Sequence, residues 1–103
     1  MEAKKIVITG AATRIGAAIA KSLANHGVKI LLHYNKSSLE VKKLKKDLEN
    51  LGAEIFLLKA DLNKSVEVKK IIPYAYEAMQ GIDCLINNAS LFENDNIEKF
   101  NEN

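Results

Sequence analysis

Polar and apolar positions follow two alternating rhythms along this chain. Ile6-Val7-Ile8, Val28–Tyr34, Ile55–Lys59 and Leu85-Ile86 are short, nearly unbroken apolar runs rich in aliphatic residues. Runs of this kind suit strands buried on both faces, as in a parallel sheet. Between them the apolar residues recur at helical spacing. From Ile15 to about Asn25 small and apolar residues predominate, which predicts a helix packed closely on a sheet, with Gly27 as a left-handed stop. Ser37 and Glu40 have the spacing of a capping box. They open a second predicted helix with Leu39, Leu44, Leu48 and Leu51 on its apolar side, stopped by Gly52. A third helix is predicted from about Ser65 to Met79, ended by Gly81. Pro73 lies inside it, so a kink or break is expected near Ile72. Cys84, just before the fourth apolar run, reads as a buried strand residue. After Phe92 the chain is polar, with four asparagines from Asn94 to Asn103.

Strand, helix, strand, helix, strand, helix, strand is the order of a doubly wound α/β fold, here an incomplete Rossmann-like parallel sheet. Right-handed crossovers put the helices on both faces, and the sheet order 3-2-1-4 places a crevice between the first and fourth strands. Residues 1–90 are expected to form this half-domain. Residues 91–103 are expected to be a polar tail or the truncated start of a further element.

The 103 residues are 48% hydrophobic and 27% charged, an ordinary globular balance that excludes a disordered, collagen-like or coiled-coil chain. No apolar stretch approaches the roughly 18 residues needed to span a bilayer, and Met1–Gly10 lacks a secretory pattern. A cytoplasmic protein with no membrane partner is expected. The single cysteine fits a reducing compartment. Fifteen basic and thirteen acidic residues are spread along the chain, which does not make the basic patch of a nucleic-acid binder. Arg14 is the only arginine.

Candidate chemistry begins at Thr9-Gly10-Ala11-Ala12-Thr13-Arg14-Ile15-Gly16, between the first strand and the first helix. Gly10 permits a tight turn, Ala11 and Ala12 let backbone approach a pyrophosphate, and Gly16 lets the helix sit close to the sheet. A helix N-terminus offers free N–H groups and partial positive charge to phosphates. A strand–helix turn without a ligand would read the same way. No Gly-Lys-Ser/Thr follows, so this is not a P-loop. At the end of the second strand stand Tyr34, Asn35, Lys36 and Ser37. A site for NAD usually places an acid there to hold the ribose 2′-hydroxyl, and none occurs before Glu40. Lys36 and Ser37, with Arg14 reaching in, suit a 2′-phosphate and so NADP(H). The alternative is a solvated lysine beside a helix-capping serine. His33 and Cys84 have no metal-ligand spacing around them.

Thr9-Gly10 through Gly16, Asp61-Leu62, and Asn87-Asn88-Ala89-Ser90 together resemble the short-chain dehydrogenase/reductase family. In that family's Thr-Gly-x-x-x-Gly-x-Gly pattern, Arg14 replaces the middle glycine. This departure, the run His33-Tyr34 with Lys36-Ser37, and Asn88-Ala89-Ser90-x-Phe92 are similar to the pteridine reductase branch. The resemblance implies a dinucleotide on Gly10, Thr13, Arg14, Ile15 and Gly16. It implies that Asp61 bonds the adenine amino group beside Leu62, and that Asn88, Ala89 and Ser90 run along the ribose and nicotinamide. In the branch, the positions of Ser90 and Phe92 touch a pterin, the phenyl ring stacking on it. Phe92 read alone is more often a packing residue.

The family's chemistry uses a tyrosine with a lysine four residues on. Here Ser38, Ala78 and Gln80 follow Tyr34, Tyr74 and Tyr76 at that distance, so no such pair is present. The chain is therefore expected to be the NADP(H)-binding portion of a reductase, inactive alone, whose unpaired sheet edge invites self-association. The alternative is a non-catalytic nucleotide-binding remnant or a partner subunit.

Overall fold

A computed structural model of the chain describes residues 3–88. Four strands alternate with three helices: β1 (Lys4–Thr9), α1 (Arg14–Leu23), β2 (Val28–Tyr34), α2 (Ser38–Asn50), β3 (Glu54–Lys59), α3 (Ser65–Met79) and β4 (Cys84–Asn87). All pairings are parallel, in the order β3-β2-β1-β4. The chain winds from β1 outward to β3 and then crosses to β4 on the other flank. That reversal brings the carboxyl ends of β1 and β4 side by side, with Thr9 paired to Asn87.

The apolar runs form the sheet because both of its faces are covered. Ile6, Ile8, Ile30 and Leu32 point into one core with Ala20 of α1 and Val41, Leu44 and Leu48 of α2. Val7 and Leu31, the alternate positions, point into a second core with Ile71, Ala75 and Met79 of α3. β2 is the most completely buried strand, and its bounds match the apolar run in the sequence.

Several local expectations are corrected. α1 ends at Leu23, because Ala24 turns extended (ψ 126°), so Gly27 shapes the entry to β2 and does not stop the helix. Ser37 is the N-cap of α2, but its φ/ψ of −84°/63° leaves its hydroxyl with no cap hydrogen bond, so the capping box does not form. Val41 replaces Leu39 on the buried side of α2, and Leu39 is 79% exposed. α3 runs unbroken through Pro73, which lies on the exposed side, as does Lys69, whose carbonyl the proline leaves unpaired. Gln80 caps α3 in the left-handed conformation (φ 63°), just ahead of Gly81 (φ 134°), and its carbonyl accepts from Lys5 Nζ at 2.8 Å. Cys84 is exposed, because β4 pairs only with β1 and nothing else among the described residues covers it. No helix among the described residues is long and apolar enough to cross a membrane.

Candidate cofactor site

The turn after β1 is built by small residues that bring backbone groups together. Gly10 has φ 63°, a conformation glycine adopts without steric cost. Gly16 faces back on the same turn. A Cβ there would stand 2.5 Å from the Gly10 carbonyl oxygen and 2.9 Å from Ala11 Cα. Only glycine allows α1 to begin so close to the turn.

Thr13 caps α1. Its Oγ1 accepts from the Gly16 N–H at 3.0 Å and donates to the Gly10 carbonyl at 2.9 Å. It also accepts from Asn88 Nδ2 at 3.0 Å. The hydroxyl is thereby fully used inside the protein. The N–H groups of Ala12, Arg14 and Ile15 have no acceptor among the described residues. Three unpaired donors at the positive end of a helix suit an anion.

The end of β4 locks this turn in place. Asn88 Nδ2 lies 3.3 Å from the Gly10 carbonyl as well as bonding Thr13, and the Asn88 N–H donates to Thr9 Oγ1 at 3.0 Å. Thr9 Oγ1 donates to Asn87 Oδ1 at 2.9 Å, which ties the end of β4 to β1. Asn88 acts on the turn through these bonds.

A cavity of about 380 Å³ opens beside the turn. Gly10, Ala12 and Thr13 form one wall, and Tyr34, Asn35, Lys36 and Ser37 form another. Leu62 and Asn63, after β3, and His33, at the end of β2, complete it. Its volume is at the small end of the range for ligand sites, ample for one half of a dinucleotide. Lys36 is exposed, and the Ser37 hydroxyl has no cap bond to make, so both can serve a ligand. Arg14 and Ile15 do not line the cavity. Arg14 stands exposed at the first turn of α1 with no ion pair among the described residues.

The segment after β3 is preset. Asp61 Oδ1 accepts from the Asn63 N–H at 2.9 Å, and the Asp61 N–H donates to Glu67 Oε1 of α3 at 2.8 Å. Asp61 does not itself line the cavity, whereas Leu62 does. Ala89, Ser90 and Phe92 lie outside the described residues.

The sequence reading missed two contributors. Asn63 lines the cavity without any motif to mark it. His33 is 2% exposed; its Nδ1 accepts from the Gly10 N–H at 3.0 Å, and its Nε2 donates to the Ala60 carbonyl at 2.8 Å. Burial holds the imidazole pKa below its ordinary 6.5, with the Ala60 carbonyl working weakly the other way. The available signal was a lone ring nitrogen pair inside an otherwise apolar central strand, which must find partners when buried.

This arrangement agrees with what known proteins show. Residues 4–103 match the family model of the short chain dehydrogenases. The chain is 30% identical over 102 residues to an uncharacterized oxidoreductase of Methylorubrum extorquens, covering 99% of this chain and 41% of that protein. It thus spans about two fifths of that relative's length. Two solved structures share the fold. One is the alternative dihydrofolate reductase FolM of Brucella canis, complexed with NADP: 34% identity, TM-score 0.75, 86% of this chain and 36% of that one. The other is an NADH-dependent reductase complexed with NAD: 31% identity, TM-score 0.74, 84% and 36%. With its strand order, its glycine turn and a match that runs from β1 to the last residue, this chain belongs to the short chain dehydrogenase family.

Proposed function

We propose that this chain is the NADP(H)-binding portion of a reductase. The observation that carries the reading is the glycine turn: the unpaired N–H groups of Ala12, Arg14 and Ile15 lie at the start of α1, next to a cavity lined by Ala12, Lys36 and Ser37. The pyrophosphate takes the N–H groups at the start of α1, and the adenosine end takes the cavity, with Leu62 against the adenine and Asp61 reaching its amino group. Lys36, Ser37 and the exposed Arg14 receive the 2′-phosphate. Tyr34 and Asn35 line the ribose side of this pocket, and Asn88 leads on to Ala89 and Ser90 along the nicotinamide half. The bound cofactor supplies hydride; these residues hold and orient it. Residues 1–90 are assigned to this half-domain, with 91–103 a polar tail or the start of a further element.

Calorimetric titration with NADPH and NADH tests the assignment. NADPH binds more tightly to the natural chain, and Arg14→Ala weakens NADPH by roughly tenfold or more, the scale of one charged hydrogen bond. NADH should change little. Equal losses for both nucleotides would refute the 2′-phosphate assignment.

The substrate class is a pterin or a similar planar heterocycle. The Asn88-Ala89-Ser90-x-Phe92 run and the likeness to a dihydrofolate reductase that binds NADP support this. Ser90 and Phe92 are its contacts. Because no tyrosine here has a lysine four residues on, these 103 residues bind cofactor without turning substrate over. NADPH oxidation with a dihydropterin at an enzymatic rate would contradict that. The isolated chain associates through β4, where Leu85 is 52% exposed. Leu85→Lys shifts it towards monomer in light scattering, and a natural chain that is monomeric at all concentrations would overturn the point.

A further inference from the structure

The sheet pairs β1 with β2 and β2 with β3, yet the turns that follow β1 and β3 share no strand contact. The ring of His33 joins them. Gly10 N–H donates to Nδ1 at 3.0 Å on one side, and Nε2 lies 2.8 Å from the Ala60 carbonyl on the other. A carbonyl only accepts, so Nε2 carries the proton and Nδ1 presents its lone pair. This fixes the neutral Nε2–H tautomer. The backbone of the same residue holds the next turn residue, since the Ala11 N–H donates to the His33 carbonyl at 2.9 Å. Two successive N–H groups of the glycine turn are therefore anchored on one residue of β2.

We propose that His33 is a positioning residue for the dinucleotide, acting through the peptide plane of Gly10. By taking the Gly10 N–H it directs that donor inward, so the unpaired N–H groups of Ala12, Arg14 and Ile15 are the ones aimed outward at a phosphate. Through Ala60 it ties the phosphate turn to the Asp61-Leu62 segment that flanks the adenine. Without Nδ1, the Gly10 N–H is left unpaired beside a buried strand, and the turn at φ 63° relaxes to satisfy it. This inference rests on the cofactor reading above and assigns a role to a residue that reading leaves idle.

Two substitutions separate the ring's functions. His33→Asn places an amide oxygen where Nδ1 stands and keeps the acceptor for Gly10, but cannot reach Ala60. His33→Gln places an amide nitrogen near Nε2 and keeps the donor to Ala60, but offers Gly10 nothing. Each loses one hydrogen bond, so a purely structural role lowers stability and NADPH affinity alike in both. The positioning role predicts NADPH affinity within about threefold of the natural chain in His33→Asn and a loss of roughly tenfold in His33→Gln, a gap that one lost acceptor can produce. Thermal unfolding of each variant is read alongside. Equal losses of affinity, or no loss in His33→Gln, overturn the inference. A natural chain that binds no NADPH overturns the cofactor reading instead. In that case the Gly10 amide resonance decides on its own: it keeps its position in His33→Asn and moves in His33→Gln, and the reverse or no movement sinks the proposal.

Discussion

Gly16→Ala is the most demanding test of the site's geometry, because two physical effects of opposite sign meet at one atom. Gly16 lies in the first turn of α1, where alanine is a better helix former by about 0.5–1 kcal/mol. Propensity alone predicts a stabilised protein. The structure predicts the opposite. The new Cβ would sit 2.5 Å from the Gly10 oxygen, 2.8 Å from Asn88 Nδ2 and 2.9 Å from Ala11 Cα. Two of these three neighbours are backbone of the glycine turn, which Thr13 and Asn88 hold from other sides. Nothing there yields cheaply, so the overpacking cost is about 1–3 kcal/mol. The net effect is a loss of roughly 1 kcal/mol or somewhat more once propensity is subtracted. In a domain of this size that lowers Tm by about 4–8 °C. The same shift moves the turn proposed to receive the pyrophosphate, so NADPH affinity is expected to fall together with Tm. Circular dichroism melts with and without NADPH read both effects. Ala18→Gly, at an exposed position of the same helix, is the control that loses propensity and should leave affinity intact. A Gly16→Ala protein with unchanged or higher Tm and unchanged affinity would show that α1 does not depend on this close approach.

Two further outcomes follow from burial. The folded chain keeps His33 neutral at a pH where the unfolded chain has begun to protonate it, since its pKa is lowered from 6.5. The unfolded state then binds more protons, so stability is complete above pH 6.5 and declines as the pH falls from there towards the lower folded value. Urea midpoints across this range should drop on acidification, and His33→Gln should flatten that part of the curve; an identical slope in the variant refutes the assignment. On α2, Leu44→Ala removes a side chain that is 4% exposed and costs about 2–5 kcal/mol, whereas Leu39→Ala should stay within about 0.5 kcal/mol. Comparable losses at both positions in chemical denaturation would mean the helix is rotated relative to the structure.

Much of the fold was legible because its central strands, β1 and β2, are buried on both faces. The run Val28–Tyr34 could be neither a half-exposed strand nor a helix of ordinary length, and its bounds matched β2. The glycine positions at 10 and 16 were legible for a similar reason, as each marks backbone approaching backbone. What stayed hidden depends on neighbours that sequence spacing does not name. Leu39 and Val41 are both apolar, and the choice between them is set by how the loop from Tyr34 delivers α2 to the sheet. Cys84 belongs to a strand whose burial depends on what lies beyond β4. Pro73 looked disruptive, but the carbonyl it frees belongs to the exposed side of α3, where water replaces the lost bond. The structural role of His33 has no local signature in the sequence. Its partners are a backbone N–H 23 residues away and a carbonyl 27 residues away, and only the assembled sheet brings them together.

The sheet's two faces carry unequal loads. Among the described residues, one face is sheltered by two helices, α1 and α2, which also pack on one another, while α3 guards the other with a smaller set of buried side chains. Cooperative proteins open first where the fewest apolar groups must part. Peeling α3 away would release Ile71, Ala75 and Met79 and loosen the Asp61–Leu62 segment that Glu67 tethers. The glycine turn, fastened to α1 on the sturdier side, would keep its shape. In the proposed binding mode, breathing of this kind would separate the two ends of a dinucleotide in time: the grip on the phosphates would outlast the grip on the base, so the base would leave first and the phosphates follow.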